Sequence, residues 1–351
     1  MESRKVQEVT GGTYTVSLPE SWADDADVSA GSVVNLHVHQ DGTLAVRPAE
    51  GTEDALERAA VACPSDGPRR VERVLRAAYG SGADEVVLGA ASSFSNAERR
   101  AAESVARTLT GVAVEEGDDD RIRVRALLDS ERVSLTQSVR QLEFVALSKH
   151  REATEAVVDG ASVAEPAAAT ERAERLLALV DRHFERALVR PEEVEALDVT
   201  RTELVALRAT ARELERVAAE GRRIAAVANA RERPLRDGSG ATDAFTDVAE
   251  TARVVVEDAV AFAVGDGDET AAWDAFDRTD RVTDEIAALE RTLLTEGDVD
   301  YRLAHVLDAL ERTAAHGRTI AERGVRQAVR DGALAPEDVE VDADVDRGAD
   351  A

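Results

Sequence analysis

Lysine is almost missing from this chain: of its 43 basic residues only Lys5 and Lys149 are not arginine. Cysteine is reduced to Cys63, which excludes an intramolecular disulfide. No Cys/His spacing around it suits a metal, so it reads as a small buried hydrophobe. No apolar run approaches the roughly 18 residues of a membrane-spanning helix, and the N-terminal MESRKVQEV has no apolar signal core. A cytoplasmic protein without membrane insertion is expected. Catalytic patterns are missing too. There is no phosphate-cradling glycine loop and no Ser/His/Asp set. His150, His183, His305 and His316 do not supply the paired Glu-x-x-His motifs of a di-iron bundle. The chain is expected not to be an enzyme.

What is present is acid. Asp and Glu number 71, the formal net charge is -28, and 32% of residues are charged. That balance would signal disorder if apolar residues were scarce, but they make up 44% and recur periodically, so a folded acidic protein is expected. Abundant acids, with arginine in place of lysine, suit a salt-rich cytosol where acidic surfaces hold hydrated cations. The reading is a halophilic archaeon. At molar salt the Debye length shrinks to about 3 Å, so acidity argues little against a nucleic-acid partner. With 351 residues, two or three domains are expected.

Residues 1–50 alternate apolar and polar positions in short runs: Val6 and Val9; Tyr14, Val16 and Leu18; Val33 through His39; Leu44 to Val46. These are strands. Gly11-Gly12 and Asp41-Gly42 supply turns, and Pro19 opens a short acidic helix that Ala30-Gly31 ends. His37 and His39 share a strand face. With no Cys or third His nearby, solvated or packed histidines are expected there in preference to a metal pair.

The order of elements in GGTYTVSLPESWA and VSAGSVVNLHVHQDGTLAVRP resembles the AbrB/MazE/SpoVT swapped-hairpin domain. The resemblance implies two chains interlocked in one barrel, hence a homodimer, and DNA contacts from basic residues on the early strands. The matching positions are Arg4 and Lys5, with Arg47 at the end of the last strand. They stand among Glu2, Glu8, Glu20, Asp24, Asp25, Asp27 and Asp41. Phosphate contacts supply most non-specific affinity, so weak, salt-sensitive DNA binding is expected.

Residues 51–130 read as a small α+β domain. AAVAC is a strand, GPRRVERVLRAAYGSG a helix, DEVVLGA a strand, NAERRAAESVARTLTG a helix capped by Asn96 and closed by Gly111, and VAVEEG and RIRVRALL two more strands. It holds no nucleotide-binding glycine pattern. A spacer is expected, with a small-ligand site as the other option.

From 134 to 331 the pattern is helical. Residues 134–159, 163–189 and 200–231 make one unit (134–231) and 243–264, 268–295 and 300–330 a second (243–330). Breaks fall at Asp159-Gly160, Arg190-Pro191, Arg233-Pro234 through Gly240, Asp266-Gly267 and Gly297. The acidic tail, residues 332–351 with Pro336, Glu337, Asp338 and Asp342, is expected to be disordered.

Within the helices lies an internal repeat: ELERVAAEGRRIA at 213–225 returns as ALERTAAHGRTIA at 309–321. Leu214, Val217, Gly221 and Ile224, and then Leu310, Thr313, Gly317 and Ile320, follow steps of three and four. That is one buried helical stripe. A mid-helix glycine costs roughly 1 kcal/mol against alanine, so close approach of a second helix is the expected reason for both.

The repeat resembles the LERIGDxAxxIA helix of the PhoU family, and the AAYGSG helix of the α+β segment resembles the one preceding the bundle in archaeal PhoU-like regulators. The resemblance implies two three-helix units in one six-helix bundle. It also implies three acids at i, i+4 and i+7 that join partner-helix acids to hold iron or zinc clusters. Here Glu215 and Glu311 keep the first acid, while Ala219 and Arg222, and Ala315 and Arg318, replace the other two. Glu171, Glu174, Asp280 and Asp284 stand where partner-helix acids are expected. Arg222 and Arg318 are expected to supply the charge a metal supplies in relatives, leaving no cofactor; a solvated charged face is the alternative.

The fold class expected is multidomain: a swapped-hairpin β domain, a small α+β domain and an all-α PhoU-like bundle. The function implied is regulation of phosphate uptake, with a dimer meeting DNA through the N-terminal domain and the bundle sensing or meeting a partner. The alternative is an adaptor that binds a phosphate transporter's ATPase or a sensor protein without touching DNA. Antitoxin-like binding to a toxin rests on the hairpin domain alone.

Overall fold

Short strands open the chain. A computed structural model describes residues 3–9, 11–49, 56–63, 67–90, 93–115, 118–163, 167–231, 234–235, 240–296 and 301–334. The break expected at Gly297 and the tail expected to be disordered beyond Leu334 lie outside them.

β1 (Gln7–Val9) pairs antiparallel with β2 (Thr13–Thr15), Gln7 opposite Thr15. Gly11 and Gly12 turn this hairpin at φ +108° and +79°, where L side chains are strained. A short helix, α1 (Glu20–Asp25), leads to a second hairpin of β3 (Val34–Val38) and β4 (Leu44–Pro48), with Val34 opposite Pro48. Among the described residues each hairpin remains a separate two-stranded sheet. Val9, Tyr14, Val16, Val33, Leu36, Val38 and Leu44 are all exposed. An isolated hairpin is marginally stable in water, so this unit has apolar surface still to bury.

The second unit comprises β5 (Arg58–Ala62), α2 (Pro68–Gly80), β6 (Glu85–Gly89), α3 (Asn96–Thr108), β7 (Val112–Glu115) and β8 (Arg121–Ala126). Its sheet runs β5-β6-β8-β7, with β5 parallel to β6 and the other pairs antiparallel. Val71, Leu75 and Val105 of the helices share a core with Val86, Leu88, Ile122 and Val124, and Cys63 lies within it. The cap of α3 is Ser95, one residue ahead of the expected Asn96. Ser95 Oγ accepts the Glu98 N–H at 3.3 Å while Glu98 Oε2 accepts the Ser95 N–H at 2.8 Å, a reciprocal pair open only to the residue three before Glu98.

The helical region holds α4 (Leu135–Asp159), α5 (Ala167–Val189), α6 (Pro191–Ala196) and α7 (Arg201–Ala230), then α8 (Gly240–Ala263), α9 (Glu269–Glu296) and α10 (Tyr301–Arg330). The short α6 was not expected: the chain breaks at Arg190 and restarts at once, because proline at a first helical position loses no hydrogen bond. Gly160, at φ +65°, closes α4. α4 packs along α7, α8 along α9 and α10, and α7 against α10 joins the two units.

Both repeat stripes are buried: Leu214, Val217, Ile224, Leu310, Thr313 and Ile320 are inaccessible to solvent. Each such Leu or Ile contributes roughly 1.5–3 kcal/mol relative to exposure. The two glycines mark the tightest crossings. A Cβ on Gly221 would stand 3.2 Å from the His150 Cα of α4, and one on Gly317 would stand 2.8 Å from Val255 Cγ1 and 3.0 Å from the Val256 N of α8.

Candidate functional site

The repeat helices meet through two carboxylates. Glu213 and Glu220 are seven residues apart on α7, hence on one face, and both are 3% exposed against α10. Glu213 Oε2 lies 3.0 Å from His316 Nδ1, and its Oε1 accepts from Arg216 at 2.6 Å. Glu220 pairs with Arg223 at 2.6 Å and with Arg312 of α10 at 3.2 Å. Burial pushes the Glu213 carboxyl up, but hydrogen bonds from His316 and Arg216 outweigh it and hold the group below the usual carboxylate range. Sequence reasoning did not single out these groups. The signal was there as an acid pair at i and i+7 flanking a buried stripe.

The acids that the sequence did single out do not converge. Glu215 pairs with Arg222 of its own helix at 3.3 Å, and Asp280 of α9 with Arg318 of α10 at 2.9 Å. Glu174 approaches Arg76 of α2 at 3.9 Å, while Glu171, Asp284 and Glu311 are exposed. Among the described residues no three His, Cys, Asp or Glu side chains gather as metal ligands. With three of the six carboxylates already facing a guanidinium, this set does not fit a metal cluster.

A second group of contacts seats the β3–β4 hairpin on the bundle. Arg201, the first residue of α7, donates to Asp41 Oδ2 at 2.8 and 2.7 Å and to Thr43 Oγ1 at 2.7 Å. Gln40 donates to Asp198 Oδ1 at 2.8 Å. Arg47 Nη1 donates to the Val189 carbonyl at 3.0 Å, so this arginine is turned onto the end of α5. His37 lies 3.9 Å from Glu192 and 3.7 Å from Glu195 of α6, and His39 is buried; no third ligand joins them among the described residues. Arg4 and Lys5 are exposed at the entry to β1.

An aspartate gathers the contacts that join the α+β unit to the bundle. Asp84, just before β6, accepts from Arg182 at 3.2 Å and Arg186 at 2.5 Å, one helical turn apart on α5, and at 2.8 Å from Arg190, which caps α6. Arg182, 2% exposed, also donates to the carbonyls of Tyr79 and Ala83 at 3.1 and 2.8 Å. Beside it the buried Glu193 receives His183 at 2.5 Å, Ser130 at 2.9 Å and Arg186 at 2.9 Å. Burial raises the Glu193 carboxyl, and the His183 and Arg186 contacts overcome that and bring it to about 2.

These geometries position and couple elements of the fold. α7 carries the hairpin at its first residue and the inter-repeat carboxylates at its middle, so one continuous helix links the hairpin seat to the repeat crossing. The class defined is a multidomain protein in which a small β unit is clasped to a helical bundle.

Comparison with known proteins gives the parts separately. Residues 9–54 match the family model described as antidote-toxin recognition MazE, bacterial antitoxin, in agreement with the N-terminal resemblance read from the sequence. Among solved structures, the chain is similar to the crystal structure of PhoU from Pseudomonas aeruginosa, with 17% identity, a TM-score of 0.41, and coverage of 56% of this chain and 96% of that one. No curated protein matches the chain. Among the described residues no helix is long and apolar enough to cross a membrane.

Proposed function

We propose that this chain is a cytoplasmic regulator of phosphate uptake that binds DNA as a homodimer through its N-terminal unit, while the helical bundle receives a signal or a partner such as a transporter ATPase or sensor protein. The observation that carries the reading is the pair of hairpins that remain separate two-stranded sheets among the described residues, with Leu36 at 60% and Val38 at 72% exposure, joined to a MazE-type match. Interlocking with a second copy is the burial such a surface calls for. The phosphate assignment rests on the LER-glycine-isoleucine repeat. Arg4 and Lys5 are the DNA contacts in this reading, with Arg47 joining them when the hairpin leaves its seat on α5. The bundle takes no metal and no catalytic role.

The test is DNA binding by the full chain in molar KCl, using its own promoter and that of a phosphate transporter. Saturable binding lost in Arg4→Glu/Lys5→Glu supports the regulator. Absence of binding at every salt concentration where the protein stays folded overturns it.

The adaptor reading is favoured by one observation, the Arg47 to Val189 hydrogen bond, which occupies a proposed DNA contact within the same chain. Under it, full-length protein captures a transporter ATPase and binds no DNA.

A further inference from the structure

Among the described residues the four-stranded sheet is covered by helices on one face only. On the other, strand register sets Arg58 beside Glu85 and Arg125, then Ala60 beside Val87 and Arg123, then Ala62 beside Gly89 and Arg121, with Glu115 opposite Arg123 on β7. Four arginines thus meet three acids, Glu85, Glu115 and, 3.9 Å from Arg121, Asp120, a local excess of cations in a chain whose net charge is -28. Glu85 is saturated, with Arg58 at 2.6 Å and Arg123 and Arg125 each at 3.3 Å. A guanidinium carries five donors, so this arrangement leaves cationic donors facing outward. The four arginine side chains remain 41–60% exposed. Between them the surface is smooth: among the described residues a Cβ on Gly89 meets nothing within 4 Å. β5 has β6 on one side and no strand on the other among the described residues.

The chain carries the complement. Beyond Leu334, Val339, Val341, Ala343 and Val345 alternate with Glu340, Asp342, Asp344 and Asp346. In an extended strand this period of two puts every acid on one face and every apolar side chain on the other. Added along β5, such a strand sets its acids on the arginine face and its valines beside Ala59 and Val61, which are only partly buried at the core edge. The starting point is favourable. Ala333 at the end of α10 lines one cleft with Thr136 at the start of α4, the helix that follows β8 in the chain. The tether from Leu334 to Val339, fully extended, spans at most about 17 Å.

We propose that the open arginine face is a docking site for an acidic β-strand, and that Val339–Asp346 of the same chain is its occupant, added along the free edge of β5. Charge selects the strand and backbone pairing holds it, so the tail latches the end of the bundle to the α+β unit. Another acidic strand would have to displace it.

Hydrogen exchange tests this with three proteins in molar KCl: the full chain, a chain ending at Leu334, and full-length Glu340→Lys/Asp342→Lys/Asp344→Lys, which keeps the tail's length. Amides of Arg58–Ala62 exchange at least about tenfold slower in the full chain than in either variant. A synthetic 335–351 peptide restores protection to the shortened chain, and α7 amides stay unchanged throughout as the folding control. Equal exchange in all three proteins overturns the proposal. So does protection that survives charge reversal, since the arginines then play no part. Protection that fades on dilution assigns the strand to a second copy. Protection conferred equally by DNA on full and shortened chains assigns the face to nucleic acid. Either result overturns the assignment to the same chain's tail.

Discussion

Gly221 and His150 meet backbone to backbone: a Cβ added to the glycine would lie 3.2 Å from the His150 Cα and 3.3 Å from its N. The equivalent glycine of the second repeat, Gly317, is tighter still, at 2.8 Å from Val255 Cγ1 and 3.0 Å from the Val256 N. The internal repeat therefore brings two helix pairs to the same close approach, α7 on α4 and α10 on α8.

Alanine at these sites gains helix propensity of about 1 kcal/mol and loses contact distance. At Gly317 the clash wins, and Gly317→Ala destabilises by about 1–3 kcal/mol. Gly221→Ala, with a few tenths of an ångström to find, costs less than Gly317→Ala. Chemical denaturation of both variants measures the order.

His150 is fully buried beneath that crossing, with its Nε2 3.2 Å from Thr313 Oγ1. Burial, assisted by repulsion from Arg253, lowers its pKa from 6.5 to about 3. A base depressed in the folded state binds its proton in the unfolded state first. Stability is therefore intact above about pH 6.5 and falls as pH drops toward 3, by several kcal/mol at the order-of-magnitude level. His150→Leu flattens that limb of the stability curve, while the same measurement on His305→Leu, an exposed site, leaves it in place.

Asp84→Asn removes the carboxylate from three arginines, one of them almost wholly buried. Asp84 itself is part exposed, so the expected cost is about 1–3 kcal/mol, below that of a fully buried pair. The loss appears as faster proteolysis between the α+β unit and α5. Arg182→Met in the Asp84→Asn background restores part of it, and a double-mutant cycle gives the coupling.

Much of the helical architecture was legible because one stripe at helical period dictates which face is buried, and because glycine and proline punctuate the ends. Leu214 to Ile224 and Leu310 to Ile320 read directly. The α3 cap did not: Ser95 and Asn96 are both good caps, and only the reach of Glu98 back to Ser95 decides between them. α6 was hidden because a proline reads as a stop even where it serves as a start. Glu213 and Glu220 show only their i and i+7 spacing in the sequence, since their burial depends on His316 and Arg312 about a hundred positions away. The direction of Arg47 was equally invisible, because the Val189 carbonyl it meets belongs to a different unit of the fold.

Metal content separates this chain from the cluster-binding pattern it resembles. Purified protein is expected to carry no stoichiometric iron or zinc, because Arg222 and Arg318 already pair with Glu215 and Asp280. Restoring the replaced acids in both copies, Ala219→Asp/Arg222→Glu and Ala315→Asp/Arg318→Glu, is expected to lower stability without metal and to regain it with added zinc. Elemental analysis and thermal scans read both outcomes.

The central claim, a DNA-binding dimer closed by its hairpins, is tested most directly by sedimentation of the full chain in molar KCl with and without a promoter fragment. The account predicts twice the 37.5 kDa chain mass for the free protein and two chains on each fragment. Both states are lost in Leu36→Asp/Val38→Asp, which charges the exposed hairpin face. A free protein at 37.5 kDa that leaves the fragment unshifted would contradict it.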